Sequence, residues 1–281
     1  MSIARTGDER PIGVFDSGVG GLTVLSELRR RLPGESTIYL GDNQRAPYGP
    51  RPGDEVRAFT RDCVDWLLDA DVKLLVVACN TATAQALPQV REQAPVPVVG
   101  VVRPGAVAAA AATRTGHVGV IATAGTVASG AYPAAIGEAD ARLRISQQAA
   151  PDLVPLVEAG MLAGPAADDA VREYLDPLLS ADPLIDTLLL GCTHYPLLRP
   201  VIERRAGEAI AVVDSAFTTA LAVEDLLDAL GSRAPDGGVP SHRVATTGDV
   251  GAFTNVAARL FGAELPLVER AAVEAASVQP G

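Results

Sequence analysis

The stretch LLLGCTHYPLL, residues 188–198, decides the fold class of this chain. Three leucines followed by Gly191 are typical of the end of a buried strand, and Pro196 in the next turn suits the start of a helix. The thiol of Cys192 is thereby placed at a strand-to-helix junction. In α/β proteins, such junctions commonly carry the functional groups.

The same pattern occurs a second time in KLLVVACNTATAQAL, residues 73–87. A strand-like run ends at Cys79, and Asn80, Thr81 and Thr83 bring an amide and two hydroxyls to the predicted start of a helix. The two cysteines lie too far apart in the sequence for one local motif. Their spacing suits equivalent positions in two halves of the protein.

The rest of the chain alternates strand and helix patterns around these two stretches. PIGVF (11–15), STIYLG (36–41), VPVVGVV (96–102), HVGVIA (117–122) and AIAVVDSA (209–216) are typical of strands. Such alternation predicts largely parallel sheets with helices on both faces. We therefore predict an α/β fold, and RPG at residues 103–105 is the predicted crossover into a second domain.

Composition narrows the function classes. The chain has 281 residues, of which 48% are hydrophobic but only 4% aromatic, so the core must be built mainly from Ala, Val, Leu and Ile. Its formal net charge is −11, and it has no basic run that follows a phosphate backbone, so direct nucleic-acid binding is not expected. No apolar run reaches the length of a membrane span.

The N-terminal sequence and the cysteine count bear on the compartment. MSIARTGDERPIGVF carries charges but no apolar signal region, so we expect a cytoplasmic protein. The three cysteines are an odd number, and in such a chain reduced thiols are the default.

The glycine-rich turn DSGVGG, residues 16–21, first suggests a nucleotide site. It lacks the fingerprint, because Thr23 stands where a dinucleotide motif needs its third glycine, and Val19 stands where a P-loop needs lysine. The glycines alone are explained by a tight strand-to-helix turn. They leave Asp16 and Ser17 unexplained, and these side chains are predicted to face the same crevice as the cysteines.

The three thiols divide into two kinds. Cys79 and Cys192 are predicted at helix N-termini, which lower the pKa of a thiol, although cysteine is also among the most buried residue types. Their polar flanks favour a functional role. Cys63 is different, since Phe59 and Trp66 lie at helical spacing from it, and we predict that it packs in the core.

Three kinds of chemistry fit the two cysteines. An open catalytic zinc site with His194 has only three protein ligands, and the chain has no C-x-x-C pair. A hydrolase with Cys192 as nucleophile leaves Cys79 without a task. Two thiols facing each other across a cleft suit a proton transfer, in which one removes a proton from a carbon and the other returns it from the opposite side.

Four motifs together carry a family resemblance. VFDSGVGGLTVL (14–25), GDNQRAPYG (41–49), ACNTATA (78–84) and GCTHYPLL (191–198) resemble, in order and spacing, the signatures of glutamate racemases in the aspartate/glutamate racemase family. The match extends from residue 11 to about 215. The resemblance implies a cofactor-independent enzyme that interconverts L- and D-glutamate and supplies D-glutamate for peptidoglycan.

The resemblance also implies residue roles. Cys79 is expected to take the proton from D-glutamate and Cys192 from L-glutamate, with Asp16 and His194 assisting the two thiols. Glu158 matches a carboxylate near the family's active site, although a surface helix charge explains it equally well. The substrate-holding positions implied by the motifs are Asp16, Ser17, Tyr48, Gly49, Asn80, Thr81, Thr193 and His194.

An independent check concerns cofactors. A pyridoxal-dependent racemase forms its Schiff base through a lysine, and Lys73 is the only lysine in the chain. It begins a predicted strand rather than ending one. We therefore expect neither a cofactor nor a metal.

The resemblance leaves some alternatives open. Aspartate racemase has the same two-cysteine logic but typically carries glutamate at the position of His194. A regulatory protein that binds DNA gyrase is an alternative from another class. The family pattern implies two similar α/β domains, residues 1–103 with 215–281 and residues 104–214, with the active site in the cleft between them. A homodimer is expected.

Overall fold

The computed structural model describes residues 7–262 and 265–273. Its strands are β1 Ile12–Asp16, β2 Thr37–Gly41, β3 Leu74–Val77, β4 Val98–Gly100, β5 His117–Ala122, β6 Arg144–Ala149, β7 Thr187–Gly191, β8 Ala211–Asp214, β9 His242–Thr246 and β10 Val268–Arg270. Its α-helices are α1 Leu22–Arg31, α2 Gly53–Asp69, α3 Asn80–Gln93, α4 Val102–Ala112, α5 Ala124–Ser129, α6 Ala131–Ala139, α7 Leu153–Glu158, α8 Pro165–Ala181, α9 Arg199–Ala206, α10 Ser215–Leu230 and α11 Val250–Phe261. A 3-10 helix, Tyr195–Leu198, precedes α9.

Two separate sheets carry these strands. Six strands form the first sheet in the order β10-β9-β2-β1-β3-β4, and four form the second in the order β6-β5-β7-β8. The pairings within both sheets of the described chain are parallel. The predicted α/β class with mostly parallel sheets is therefore confirmed.

The predicted crossover at residues 103–105 lies in the passage from the first sheet to the second. These residues belong to the first turn of α4, which leads from β4 to β5. Pro104 is accommodated there because the first turn of a helix does not need its N–H groups. The domain bounds stay a prediction, and their residues 1–6, 263–264 and 274–281 lie outside the described residues.

The strand register brings the carboxyl ends of the central strands to one level. In the first sheet, Asp16 is the partner of Gly41, and Val77 at the end of β3 is the partner of Phe15. In the second sheet, Gly191 at the end of β7 is the partner of Ala122 at the end of β5. The residues that follow these strands therefore meet at one edge of each sheet, where ligands bind in open α/β folds.

The core is aliphatic, as the low aromatic content predicts. Leu25 of α1, Val223 of α10 and Leu190 of β7 belong to one continuous buried cluster. The two sheets therefore share part of their apolar core. Within the described parts of the chain, every helix falls short of the length and apolarity needed to cross a membrane.

Lys73 lies at the amino ends of the strands in the first sheet, opposite the cleft, and binds several segments there. Its side chain is fully buried, with Nζ 2.6 Å from Glu35 Oε2, and it donates hydrogen bonds to the carbonyls of Asp8 at 2.7 Å and Ser232 at 2.8 Å. Glu35 Oε1 in turn accepts a hydrogen bond from the backbone N–H of Ala234 at 2.9 Å. This ion pair ties the segment after α10 to the starts of the first three strands.

Candidate active site

A cleft of about 490 Å³ lies between the carboxyl ends of the two sheets. Residues that directly follow β1, β3, β5 and β7 line it, as the strand register requires. The structure brings nine of the ten predicted site residues to its wall, namely Ser17, Tyr48, Gly49, Cys79, Asn80, Thr81, Cys192, Thr193 and His194. Both predicted catalytic thiols therefore face one cavity.

Asp16, the tenth predicted residue, lies behind this wall and is fully buried. Its Oδ2 accepts a hydrogen bond from Gly18 N at 2.9 Å, and its Oδ1 lies 3.5 Å from the hydroxyl of Thr193. Burial raises the pKa of Asp16, although the charge of His194 and the N–H groups of Gly21 and Gly18 oppose the shift. Asp16 thus connects the first strand tip to the residue after Cys192.

Cys79 caps the N-terminus of α3. Its Sγ accepts a hydrogen bond from Ala82 N at 3.4 Å and lies 3.5 Å from Ser17 Oγ. Burial and the nearby Asp16 raise the pKa of Cys79 to about 12, and the two hydrogen bonds offset this only in part. The expectation of a lowered pKa is therefore wrong for Cys79, because burial outweighs the helix terminus. This thiol is protonated at neutral pH.

Cys192 has a different environment. Instead of an α-helix, the 3-10 helix begins three residues later, so the predicted α-helical N-terminus at Cys192 is wrong. The nearest polar partner is His194, whose Nδ1 lies 3.8 Å from Sγ and whose Nε2 lies 2.9 Å from Glu158 Oε1. Burial disfavours the imidazolium, but the contacts with Cys192 and Glu158 outweigh it and raise the pKa of His194 to about 10. A protonated imidazole therefore lies beside the sulfur of Cys192 at neutral pH.

The position of Glu158 decides between its two interpretations. It ends α7, lines the cleft and contacts His194, so it belongs to the candidate site rather than to a free surface. Arg259 of α11 donates a hydrogen bond to the Glu158 carbonyl at 3.0 Å. The returning C-terminal segment therefore contacts the backbone of the residue that pairs with His194.

Replacing Glu158 by glutamine is expected to change the pH dependence of activity. Removal of the carboxylate charge lowers the pKa of His194, so the imidazolium is lost at lower pH and the alkaline limb of kcat/KM shifts downward. The side chain of Glu158 is 40% exposed, so we expect a shift of about half to one pH unit. The check is the pH profile of kcat/KM for the wild type and Glu158→Gln.

The matched control is Glu55→Gln, a comparably exposed glutamate paired with Arg51 on the surface. Its pH profile should coincide with that of the wild type. An alkaline limb that stays in place, or moves upward, in Glu158→Gln contradicts the role of the carboxylate.

Thr123 is a cleft residue that the sequence analysis missed. It follows β5 directly and caps α5, and its hydroxyl lies 2.8 Å from that of Thr81 and 2.9 Å from that of Thr126. The three hydroxyls form a cluster between the two sheets. The sequence contained a signal for it, because Thr123 lies between the end of a strand and the start of a helix. Asn80 and Thr81 occupy a similar position after β3.

Tyr48 lines the cleft, but its hydroxyl is already engaged. It donates a hydrogen bond to Asp42 Oδ2 at 2.5 Å, and Thr247 donates to Asp42 Oδ1 at 2.6 Å. The next residue, Gly49, accepts a hydrogen bond from Gly125 N at 2.9 Å. This loop therefore bridges the two sheets through its backbone, and the role of the Tyr48 side chain in binding stays a prediction.

The glycines of DSGVGG serve close packing between the two halves. A methyl group on Gly20 would overlap the Thr193 hydroxyl and the His194 ring. Thr23 donates a hydrogen bond to the Thr193 carbonyl at 3.2 Å. The first strand tip thus presses directly against the Cys192 loop, and glycine is required at position 20 for that approach.

The remaining cysteine and the two remaining histidines lie away from the cleft. Cys63 is fully buried, as predicted. His117 Nδ1 lies 2.9 Å from Asp182, and His242 Nδ1 lies 3.0 Å from the Thr37 hydroxyl. Across residues 7–262 and 265–273, no group of three His, Cys, Asp or Glu side chains is arranged to hold a metal ion.

The profile of the Asp/Glu/Hydantoin racemase family matches residues 12–223, which include both sheet tips and both cysteines. The chain belongs to the Asp/Glu/Hydantoin racemase family. Racemases are isomerases, so the prediction of an isomerase is confirmed.

Relatives within this racemase family are similar over nearly the whole chain. Glutamate racemase from Oceanobacillus iheyensis is 49% identical over 253 residues, 90% of this chain and 92% of that protein. The crystal structure of glutamate racemase isoform RacE1 from Bacillus anthracis has a TM-score of 0.88 and 42% identity, covering 95% of this chain and 98% of that one. Glutamate racemase from Francisella tularensis, solved in complex with D-glutamate, has a TM-score of 0.87 and 30% identity, covering 95% and 99%.

Proposed function

We propose that this protein is a cofactor-independent glutamate racemase that uses Cys79 and Cys192 as its two catalytic bases. The observation that carries the proposal is the pair of buried thiols at matching strand tips of two parallel sheets, both lining one cleft. Relatives at 49% and 42% identity that are named glutamate racemases favour glutamate over aspartate as substrate. The two alternatives, an aspartate racemase and a regulatory protein that binds DNA gyrase, are not favoured.

The surroundings of the two thiols give them different starting roles. The raised pKa of Cys79 makes it a proton donor, whereas Cys192 has the imidazolium of His194 beside its sulfur. Cys192 then removes the α-proton of L-glutamate, and the electron pair is delocalised into the α-carboxylate. Cys79 returns a proton to the opposite face, which gives D-glutamate. The reverse reaction begins with Cys79 as thiolate and Cys192 as thiol.

Substrate binding relies on neutral donors and helix termini. Among the described residues, the cleft wall contains neither lysine nor arginine, and His194 is its only cationic group. The hydroxyls of Ser17, Thr81 and Thr193, with the N-terminus of α3, are suited to hold the two substrate carboxylates. Donors placed in advance stabilise the negative charge that develops on the α-carboxylate during proton abstraction.

The position of Lys73 supports a reaction without pyridoxal phosphate. Its amine is buried in the ion pair with Glu35 at the far edge of the first sheet. A Schiff base needs a lysine in the cleft. The supply of D-glutamate for peptidoglycan, a cytoplasmic location, a homodimer and a gyrase contact stay predictions.

The proposal is tested by circular dichroism of the purified protein with L-glutamate in D₂O, followed by mass analysis of the product. Decay of the signal to zero, with one deuterium at the α-carbon, is the expected result without added cofactor. Decay with aspartate but not with glutamate would move the assignment to aspartate racemase. If the circular dichroism signal decays with neither substrate, the proposed function is wrong.

A further inference from the structure

The amide of Asn80 is only half satisfied by the protein. Its Nδ2 donates a hydrogen bond to the hydroxyl of Tyr132 at 2.7 Å. Its Oδ1 is buried and has no hydrogen-bond partner, although the residue lines the cleft. A buried acceptor without a partner lowers the stability of the fold. We therefore expect a ligand to supply the missing donor to this oxygen.

Tyr132 contacts the surroundings of both thiols. It is fully buried on α6, beside the second sheet, and its hydroxyl binds the residue that follows Cys79. Its ring packs against Gly191, the residue before Cys192, where an added methyl group would lie 2.7 Å from Tyr132 Cε2. The hydrogen bond to Asn80 therefore forms across the interface between the two halves of the cleft.

We propose that Tyr132 is a positioning residue that fixes the Asn80 amide so that Oδ1 faces the α-ammonium group of the substrate. An amide that is free to rotate would also present its NH₂ group, which repels a cation. With Nδ2 held by the Tyr132 oxygen, the acceptor is the group left for the substrate. This inference rests on the proposed racemase activity and adds to it the residue that selects an amino acid over a plain dicarboxylate.

The expected effect falls on binding rather than on the chemical step. The ammonium group keeps its charge in the ground state and in the transition state, so Asn80 stabilises both alike. Loss of such uniform binding raises KM and leaves kcat nearly unchanged. For Tyr132→Phe we expect KM for glutamate to rise about tenfold, with kcat within about twofold of the wild type.

Glutarate distinguishes this role from a general structural one. It has the two carboxylates of glutamate but no ammonium group. As a competitive inhibitor it should bind Tyr132→Phe and the wild type with the same inhibition constant. If glutarate and glutamate weaken by the same factor, Tyr132 does not act through the ammonium group and the inference is overturned.

A double-mutant cycle tests whether Tyr132 acts through Asn80. In an Asn80→Ala background, Tyr132→Phe should change KM for glutamate by less than about twofold, because the amide that it orients is absent. Tyr174→Phe is the control, since it also removes a tyrosine hydroxyl that is hydrogen-bonded to a side chain, Asp152 Oδ2 at 2.5 Å, and Tyr174 does not line the cleft. The KM of Tyr174→Phe for glutamate should equal that of the wild type.

The outcomes separate this inference from the proposed function. If the wild type racemises glutamate but the effects of Tyr132→Phe and Asn80→Ala multiply independently, only the inference fails. A loss of kcat at unchanged KM in Tyr132→Phe overturns it as well, because the hydroxyl would then act on the chemical step and not on substrate binding. If the wild type neither binds nor racemises glutamate, both fail together.

Discussion

Cys79→Ser and Cys192→Ser are each expected to lower kcat/KM about a thousandfold, and to do so equally in both directions of the reaction. Serine is a far weaker base than a thiolate, and one missing base interrupts transfer whichever face the proton leaves. The equality has a thermodynamic reason. Enantiomers have the same free energy in solution, so the ratio of the forward and reverse kcat/KM values must stay at one in any variant.

Circular dichroism with each enantiomer in turn measures both directions. Cys63→Ala provides the control, because Cys63 is buried on α2 and does not line the cleft. Its folded fraction should racemise glutamate at the wild-type rate. Near wild-type activity in either serine variant would mean that the thiol in question is not a catalytic base.

Lys73→Met is expected to cost about 3–5 kcal/mol of the free energy of unfolding. The substitution keeps much of the side-chain volume but leaves the carboxylate of Glu35 buried without its cation. Two backbone carbonyls, of Asp8 and Ser232, lose their donor as well. The free energy of unfolding from urea denaturation, compared between the wild type and the variant, measures the effect.

Two further variants show whether the loss of stability comes from the buried ion pair. Lys73→Met combined with Glu35→Gln should recover part of the loss, because the uncompensated buried charge is gone. Arg10→Met removes a surface cation from its pair with Asp8, and we expect a change below about 1 kcal/mol. If Lys73→Met costs no more than Arg10→Met, the buried ion pair does not stabilise the first sheet.

The features of the site that were predicted from the sequence are those that depend on where a strand ends and a turn begins. Apolar runs that stop at a polar residue mark the carboxyl ends of parallel strands, and Cys79 and Cys192 were placed correctly by that signal. The strand at residues 117–122 was predicted with its observed bounds. These features are predictable because a buried strand and the turn after it leave a pattern within a few neighbouring residues.

Features that depend on packing between distant segments were not predictable. Glu158 reaches His194 only because α7 packs beside the Cys192 loop, and the Tyr132 hydroxyl reaches Asn80 only across the two sheets. The rise in the pKa of Cys79 follows from complete burial, which no local motif reveals. Residues 103–105 were predicted as the crossover between the domains, but their place in the first turn of a helix was not predicted.

Because the chain has a single lysine, cleavage at that residue can be used to measure how often the first sheet opens. A lysine-specific protease has one cleavage site in the whole sequence, after Lys73, and the folded chain buries that side chain at the start of β3. Cutting therefore requires the first sheet to open, and it produces just two fragments. When opening and closing are fast relative to cleavage, the rate at which those fragments appear follows the population of the open state.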